Sequence, residues 1–174
     1  MDFELGEDQI LMRDAAREFA EKKLMLIAEK MDEAEEIPKE IFRELAELGY
    51  YGMLLPEKYC GLGLDTLSYT CAMEELARGS AGVMVGLTVH NSLVCKAILD
   101  WASDCLKDKY LPRLASGELM GAYCLYEPGS GTAAGSLITK AAEKGDHFVL
   151  NGTKSWVTSA GYADIFVVFV STYR

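Results

Sequence analysis

Apolar residues from Glu7 onward recur at steps of three and four: Ile10, Leu11, Ala15, Phe19, Ala20, Leu24 and Ile27. This spacing marks one face of an α-helix and predicts a long amphipathic first helix from Glu7 to about Met31. Pro38 suits the first turn of a second helix over about 38–48, with Ile41, Phe42, Leu45 and Leu48 on one side and Gly49 as its stop. The period is then broken by the Gly- and Tyr-rich stretch YYGMLLPEKYCGLGLD, which predicts a loop. Asp65 or Thr66 can cap a third helix, roughly 66–78, carrying Leu67, Cys71, Leu76 and Ala77. A fourth, from near Ser80, is apolar almost all round through Val83, Met84, Val85, Leu87 and Val89, which predicts a place in the middle of a bundle. Ser103 can cap a fifth, with Leu106, Tyr110, Leu111 and Leu114, ending by Gly117.

Beyond Gly117 the helical period gives way to short β-type runs at 120–126, 136–142, 147–152 and 164–171. Lys144-Gly145-Asp146 and Asn151-Gly152 offer turn chemistry between them, so a meandering antiparallel sheet is expected. The expected class is α+β: an N-terminal five-helix bundle over 1–118, followed by an incomplete antiparallel β-domain over 119–174.

Composition narrows the possible partners. The net charge of -10, from 17 Lys and Arg against 27 Asp and Glu, lacks the basic footprint that binding nucleic acid requires. No apolar run approaches the roughly 20 residues that span a bilayer, and the start MDFELGEDQ has neither a basic nor an apolar leader region. A cytoplasmic protein with no membrane span is expected. The five cysteines are scattered and odd in number, with no CxxC pair, which points to reduced core residues and neither a disulfide framework nor a zinc site.

Two segments could carry chemistry. In the first, Tyr123-Cys124-Leu125-Tyr126-Glu127-Pro128-Gly129-Ser130-Gly131-Thr132, a strand runs into a Gly-rich loop ending in a hydroxyl. Such a loop brings N–H and O–H groups close to a phosphate or a flat ring, although an ordinary tight turn has the same composition. In the second, Asn151-Gly152-Thr153-Lys154-Ser155-Trp156-Val157-Thr158, an Asn-Gly turn would feed a strand presenting Trp156 and Thr158 on one face. A core Trp beside a sheet Thr is the competing reading. Elsewhere, Glu74 and Glu75 are neighbours in a helix and do not face each other, so a solvated face is expected. His90 reads as a hydrogen-bonded core histidine, His147 as exposed, and Trp101 as an interface or core anchor. Neither histidine has a second ligand at metal spacing.

Taken together and in this order behind five helices, the two segments resemble the middle domain of the acyl-CoA dehydrogenase family, which typically reads T-E-P-x-x-G-S-D and then N-G-x-K-x-W-I-T. The stretches FELGEDQILMRDAAREFA, PEKYCGLGLD and EELARGSAG are similar to the family's N-terminal helical domain. The resemblance spans the whole chain but less than half of a typical member. It implies FAD as cofactor, lined by Tyr123, Leu125, Tyr126, Gly131 and Thr132. Thr132 would also touch the bound thioester, Trp156 would flank the isoalloxazine ring, and Thr158 would bond near its N5 and O4 edge. It implies an acyl-CoA substrate, with the region Leu87, Val89, His90, Asn91, Ser92 and Leu93 bordering the acyl tail. It further implies an electron-transferring flavoprotein as acceptor and a homo-oligomer at full length. The family's catalytic base is a Glu on a C-terminal helical domain, so no catalytic residue is assigned within these 174 residues. The chain alone is expected not to turn over. Tyr126 departs from the family's Thr, Ala133 from its Asp, and Ser159-Ala160 from a typical Asn-Gly. An acyl-CoA oxidase, or a non-catalytic helical interaction module on the same scaffold, are the alternatives.

Overall fold

The computed structural model describes residues 4–172, so the outermost residues of the two expected domains lie outside it. Five helices occur among the described residues. Helix α1, residues 7–34, joins the α-helical stretches Glu7–Phe19 and Met25–Ala34 through a π turn at Ala20–Leu24. Its buried side runs through Ala16, Phe19, Ala20, Leu24 and Met31, whereas Ile10, Leu11 and Ala15 face outward, contrary to the simple period. Helix α2, Lys39–Glu47, ends at Gly49, whose φ of 80° suits a residue without Cβ. There Gly49 N–H donates to Ala46 O and Tyr50 N–H to Leu45 O, which together close a Schellman cap.

Asp65 caps helix α3, Thr66–Gly79, by accepting from the N–H groups of Leu67 and Ser68 at 2.7 and 2.8 Å. α3 crosses α1 at Gly79, where a Cβ would stand 2.8 Å from Leu24 Cβ. Beside this crossing Glu75 is buried and takes Arg17 at 2.6 Å as well as Arg78. These two guanidiniums, Arg17 foremost, pull its carboxyl down to about 2. Glu74 is exposed, so the solvated-face reading holds for one of the two glutamates only. Leu67 and Leu106 are likewise exposed.

Helix α4, Ala81–Trp101, corrects the reading that no apolar stretch reaches spanning length, since one 18-residue window has a mean hydropathy of 1.4. Its inner side packs into the bundle through Val83, Leu87, Val94 and Cys95. Buried His90 and Asn91 on that side are tied to other elements by hydrogen bonds, as a core helix requires. The helix is nonetheless not sheathed all round: Val85 and Leu93 are exposed, and Trp101, 88% exposed, is no core anchor of this chain. Helix α5, Asp104–Ala115, closes the bundle.

Four strands follow: β1 Gly121–Cys124, β2 Lys140–Lys144, β3 His147–Asn151 and β4 Ile165–Val168. The α+β class holds, and β2 and β3 form the expected antiparallel hairpin about Gly145-Asp146. β1 and β4 instead pair in parallel, Gly121 opposite Ile165. The cause is an anchor at their common start, where Asp164 N–H and Ile165 N–H donate to Met120 O and Met120 N–H donates to Asp164 Oδ2. Both strands therefore leave the bundle from one point and in one direction. β1 lies directly on α4, because a Cβ on Gly121 would stand 2.4 Å from Val94 Cγ1.

Candidate functional site

From β1 the chain enters the loop 125–132, which is closed by reciprocal bonds between Glu127 and Ser130: N–H to O at 3.2 and 3.0 Å. Pro128-Gly129 makes the turn between them. Ser130 Oγ donates to Ala133 O at 2.6 Å, and Ala134 N–H to Thr132 O. Gly131 and Thr132 are left exposed, and among the described residues their amides donate to no protein acceptor. The Tyr126 ring lies over Gly131, where a Cβ would come 2.7 Å from Cε2. The Tyr123 ring stacks at a tilt on Phe169, with centroids 4.9 Å apart.

The second segment is drawn to the first by an ion pair that the sequence reading missed. Glu127 is fully buried, and its carboxylate accepts from Lys154 Nζ at 2.7 Å, Ile138 N–H at 2.7 Å and Thr139 N–H at 3.1 Å. Lys154 foremost holds that carboxyl down at about 2. The Lys154 ammonium also donates to Leu125 O, and Ser155 N–H to Tyr126 O, both at 3.1 Å. The sequence signal was available: a Glu in one motif and a Lys in the other, the only residue of each segment charged at neutral pH.

After Lys154 the chain does not form the expected strand, so Trp156 and Thr158 share no strand face. Trp156 sits in the left-handed region at φ 54° with its indole 87% exposed, Thr158 opens a turn, and Ser159 is again left-handed at φ 62°. A side chain in that region costs energy, which the surrounding contacts must offset. Those contacts are specific. Ser159 Oγ lies 3.4 Å from where a Cβ on Gly86 of α4 would be, and the Tyr162 hydroxyl accepts Ile37 N–H at 3.1 Å. The Tyr162 ring meets Phe42 edge-on at 5.0 Å. The turn after Trp156 is therefore tied to the helical bundle at both α2 and α4.

The stretch of α4 expected along an acyl tail divides in two. Leu87, His90 and Asn91 face the core. His90 Nε2–H donates to Leu114 O at 3.1 Å, and its Nδ1 accepts Gly121 N–H at 3.2 Å. Burial pushes its pKa down to about 4. Asn91 Nδ2 donates to Tyr50 O and Leu87 O. Val89, Ser92 and Leu93 remain on the open side. The hydrogen-bonded core reading of His90 is the observed one, and His147 is exposed beside Asp146. A cleft of about 550 Å³ lies elsewhere, between α2 and residues 161–164, and none of the residues expected to hold a cofactor lines it. Among the described residues no three His, Cys, Asp or Glu side chains gather as a metal cage.

Residues 6–118 match the family model "Acyl-CoA dehydrogenase, N-terminal domain", and residues 122–174 match "Acyl-CoA dehydrogenase, middle domain". The chain is 43% identical over 176 residues to the short-chain-specific acyl-CoA dehydrogenase of Clostridium acetobutylicum, covering 100% of this chain and 46% of that protein. A chain solved in work on the electron transferring flavoprotein of Acidaminococcus fermentans superposes with a TM-score of 0.95 at 40% identity, over 99% of this chain and 46% of its own. A glutaryl-CoA dehydrogenase from Mycobacterium smegmatis, solved in complex with FADH2, superposes with a TM-score of 0.92 at 33% identity, over 97% and 43%. The chain thus spans about half the length of the curated relatives it matches. With both domain models matched in order along the sequence and the fold shared at these scores, the chain belongs to the acyl-CoA dehydrogenase family.

Proposed function

We propose that these 174 residues supply the helical unit, ending near residue 118, and the flavin-facing start of the β unit of an FAD-dependent acyl-CoA dehydrogenase. The observation that carries this reading is the pairing of two segments, one offering the free amides of Gly131 and Thr132 and the other an exposed indole at Trp156. Unpaired N–H groups suit phosphate or carbonyl oxygens, and an exposed indole held on a left-handed backbone suits a flat ring. The residues present therefore fit FAD. Tyr123, Leu125, Tyr126, Gly131 and Thr132 would hold it from one side, with Trp156 and Thr158 from the other. FAD bound there would supply the hydride acceptor.

The substrate in this reading is an acyl-CoA, and the short-chain specificity in the clostridial relative's name favours a short acyl group. Thr132 would touch the thioester, with Val89, Ser92 and Leu93 beside the tail. The acceptor would be an electron-transferring flavoprotein, in keeping with the setting of the Acidaminococcus structure. The full-length protein would be a cytoplasmic homo-oligomer. Among the described residues the carboxylates are surface groups or are bound up in ion pairs, as Glu75 and Glu127 are, so none is offered as the base that takes the substrate's α-proton. The chain alone should give no turnover with acyl-CoA and a dye acceptor.

A second reading, a non-catalytic module on the same scaffold, draws on the Tyr126 ring, which covers Gly131 and is only 38% exposed. Titration with FAD followed by flavin fluorescence separates the two. Saturable binding that Trp156→Ala weakens by about 1–3 kcal/mol, the scale of one aromatic contact and its buried area, supports the flavin reading. Absence of saturable binding supports the module.

A further inference from the structure

We propose that the Glu127–Lys154 pair is a positioning element that clamps residues 152–159 against the loop 123–132 and so sets the face offered to the flavin; its last clause rests on the flavin reading. Both partners are withdrawn from water, with side-chain exposures of 0% for Glu127 and 10% for Lys154. Removing two charges from water costs about as much as their attraction returns, so such a pair adds little net stability over an apolar one. Its directional bonds do something an apolar contact cannot. The carboxylate collects N–H groups from Ile138 and Thr139 and the Lys154 ammonium, and that ammonium reaches Leu125 O. Three stretches distant in sequence are thereby held in one register. One residue beyond Lys154, Ser155 N–H bonds Tyr126 O, and one further, Trp156 takes up its left-handed backbone. On the other side, the Cβ position of Gly152 lies 2.4 Å from Thr139 Oγ1, so only a residue without a side chain allows the second segment to close on the stretch that Glu127 holds.

The test uses the whole chain and three variants: Lys154→Met, Glu127→Gln and the double variant. The first reading is amide exchange at Ser155 by NMR without FAD, with the Ser80 amide, bonded to Leu76 O within the bundle, as reference. A clamp predicts that exchange at Ser155 quickens about tenfold or more in every variant while Ser80 stays protected. The double variant is decisive because it leaves no lone buried charge and restores stability without restoring the clamp. Unchanged Ser155 exchange in Lys154→Met, or a return to the original rate in the double variant, overturns the proposal. The second reading is FAD affinity, expected to fall about tenfold or more in all three variants, the double included. Faster exchange with unaltered affinity overturns the clause about the flavin face. If the unmodified chain binds no FAD, the functional reading fails with that clause, and exchange at Ser155 alone decides the clamp.

Discussion

The helical bundle and the β portion use apolar side chains in opposite ways. In the bundle Leu24, Leu45, Leu76, Leu111 and Leu114 are wholly buried, whereas in β3 Phe148 is 58% exposed and Val149 and Leu150 are exposed beside it. The two hairpin strands bury almost none of their residues. Apart from β1, whose Ala122 and Cys124 are buried beside α4, and the Tyr162 ring on Phe42, the β portion is held by backbone ladders, the Met120–Asp164 anchor and the Glu127–Lys154 pair, which are polar and directional. Apolar burial scales with area and supplies stability, while polar contacts in a small unit supply geometry. The helical half thus behaves as a scaffold with its own core, and the other half as a shaped surface carried on it.

The widest gap between the halves should appear on truncating leucines. Leu76→Ala should cost about 2–5 kcal/mol of unfolding free energy, since a fully packed side chain leaves a cavity. Leu150→Ala, in β3, should stay within about 0.5 kcal/mol. Urea unfolding followed by circular dichroism checks both, and equal losses would erase the contrast.

A smaller effect joins the halves at His90. The folded chain keeps this histidine neutral down to about pH 4, because burial disfavours the charged ring; its Nδ1 there accepts Gly121 N–H. The unfolded chain takes up a proton near 6.5, so stability complete at neutral pH is lost as pH falls from about 6.5 to 4. Glu75 adds its own loss only below its ordinary value of 4.5, continuing toward 2. His90→Gln should cost about 1–3 kcal/mol at pH 7 and flatten the slope between 6.5 and 4 while leaving the more acid limb. An unaltered slope in thermal melts of the variant would remove His90 from the account.

The smallest expected change concerns strain in the β portion. Ser159→Gly relieves a left-handed backbone and should raise stability by up to about 1 kcal/mol, less the entropy glycine gains on unfolding. A lower melting temperature would mean that the Ser159 side chain contributes more than its strain costs.

These differences also explain what could be read from the sequence. Helix spacing, the Asp65 cap and the stops at Gly49 and Gly117 are local, and their residues announced them, whereas Ser103 precedes α5 without a side-chain capping bond. The two candidate segments were legible as segments, but their conformations were not. Trp156 turns left-handed because Lys154 drops to Glu127 and Tyr162 reaches Ile37, contacts between residues far apart in sequence. Burial of Glu75 depends on Arg17 in another helix, and the parallel pairing of β1 with β4 depends on Met120 meeting Asp164. Nothing in a local period encodes such meetings.

Ending the chain at Gly117 and measuring both its thermal melt and its FAD affinity tests the division of labour most directly. The account predicts that the shortened chain melts cooperatively with its helical signal kept and binds no FAD, whereas the full 174 residues bind it. A shortened chain that is unfolded, or one that binds FAD as well as the full chain, would contradict it.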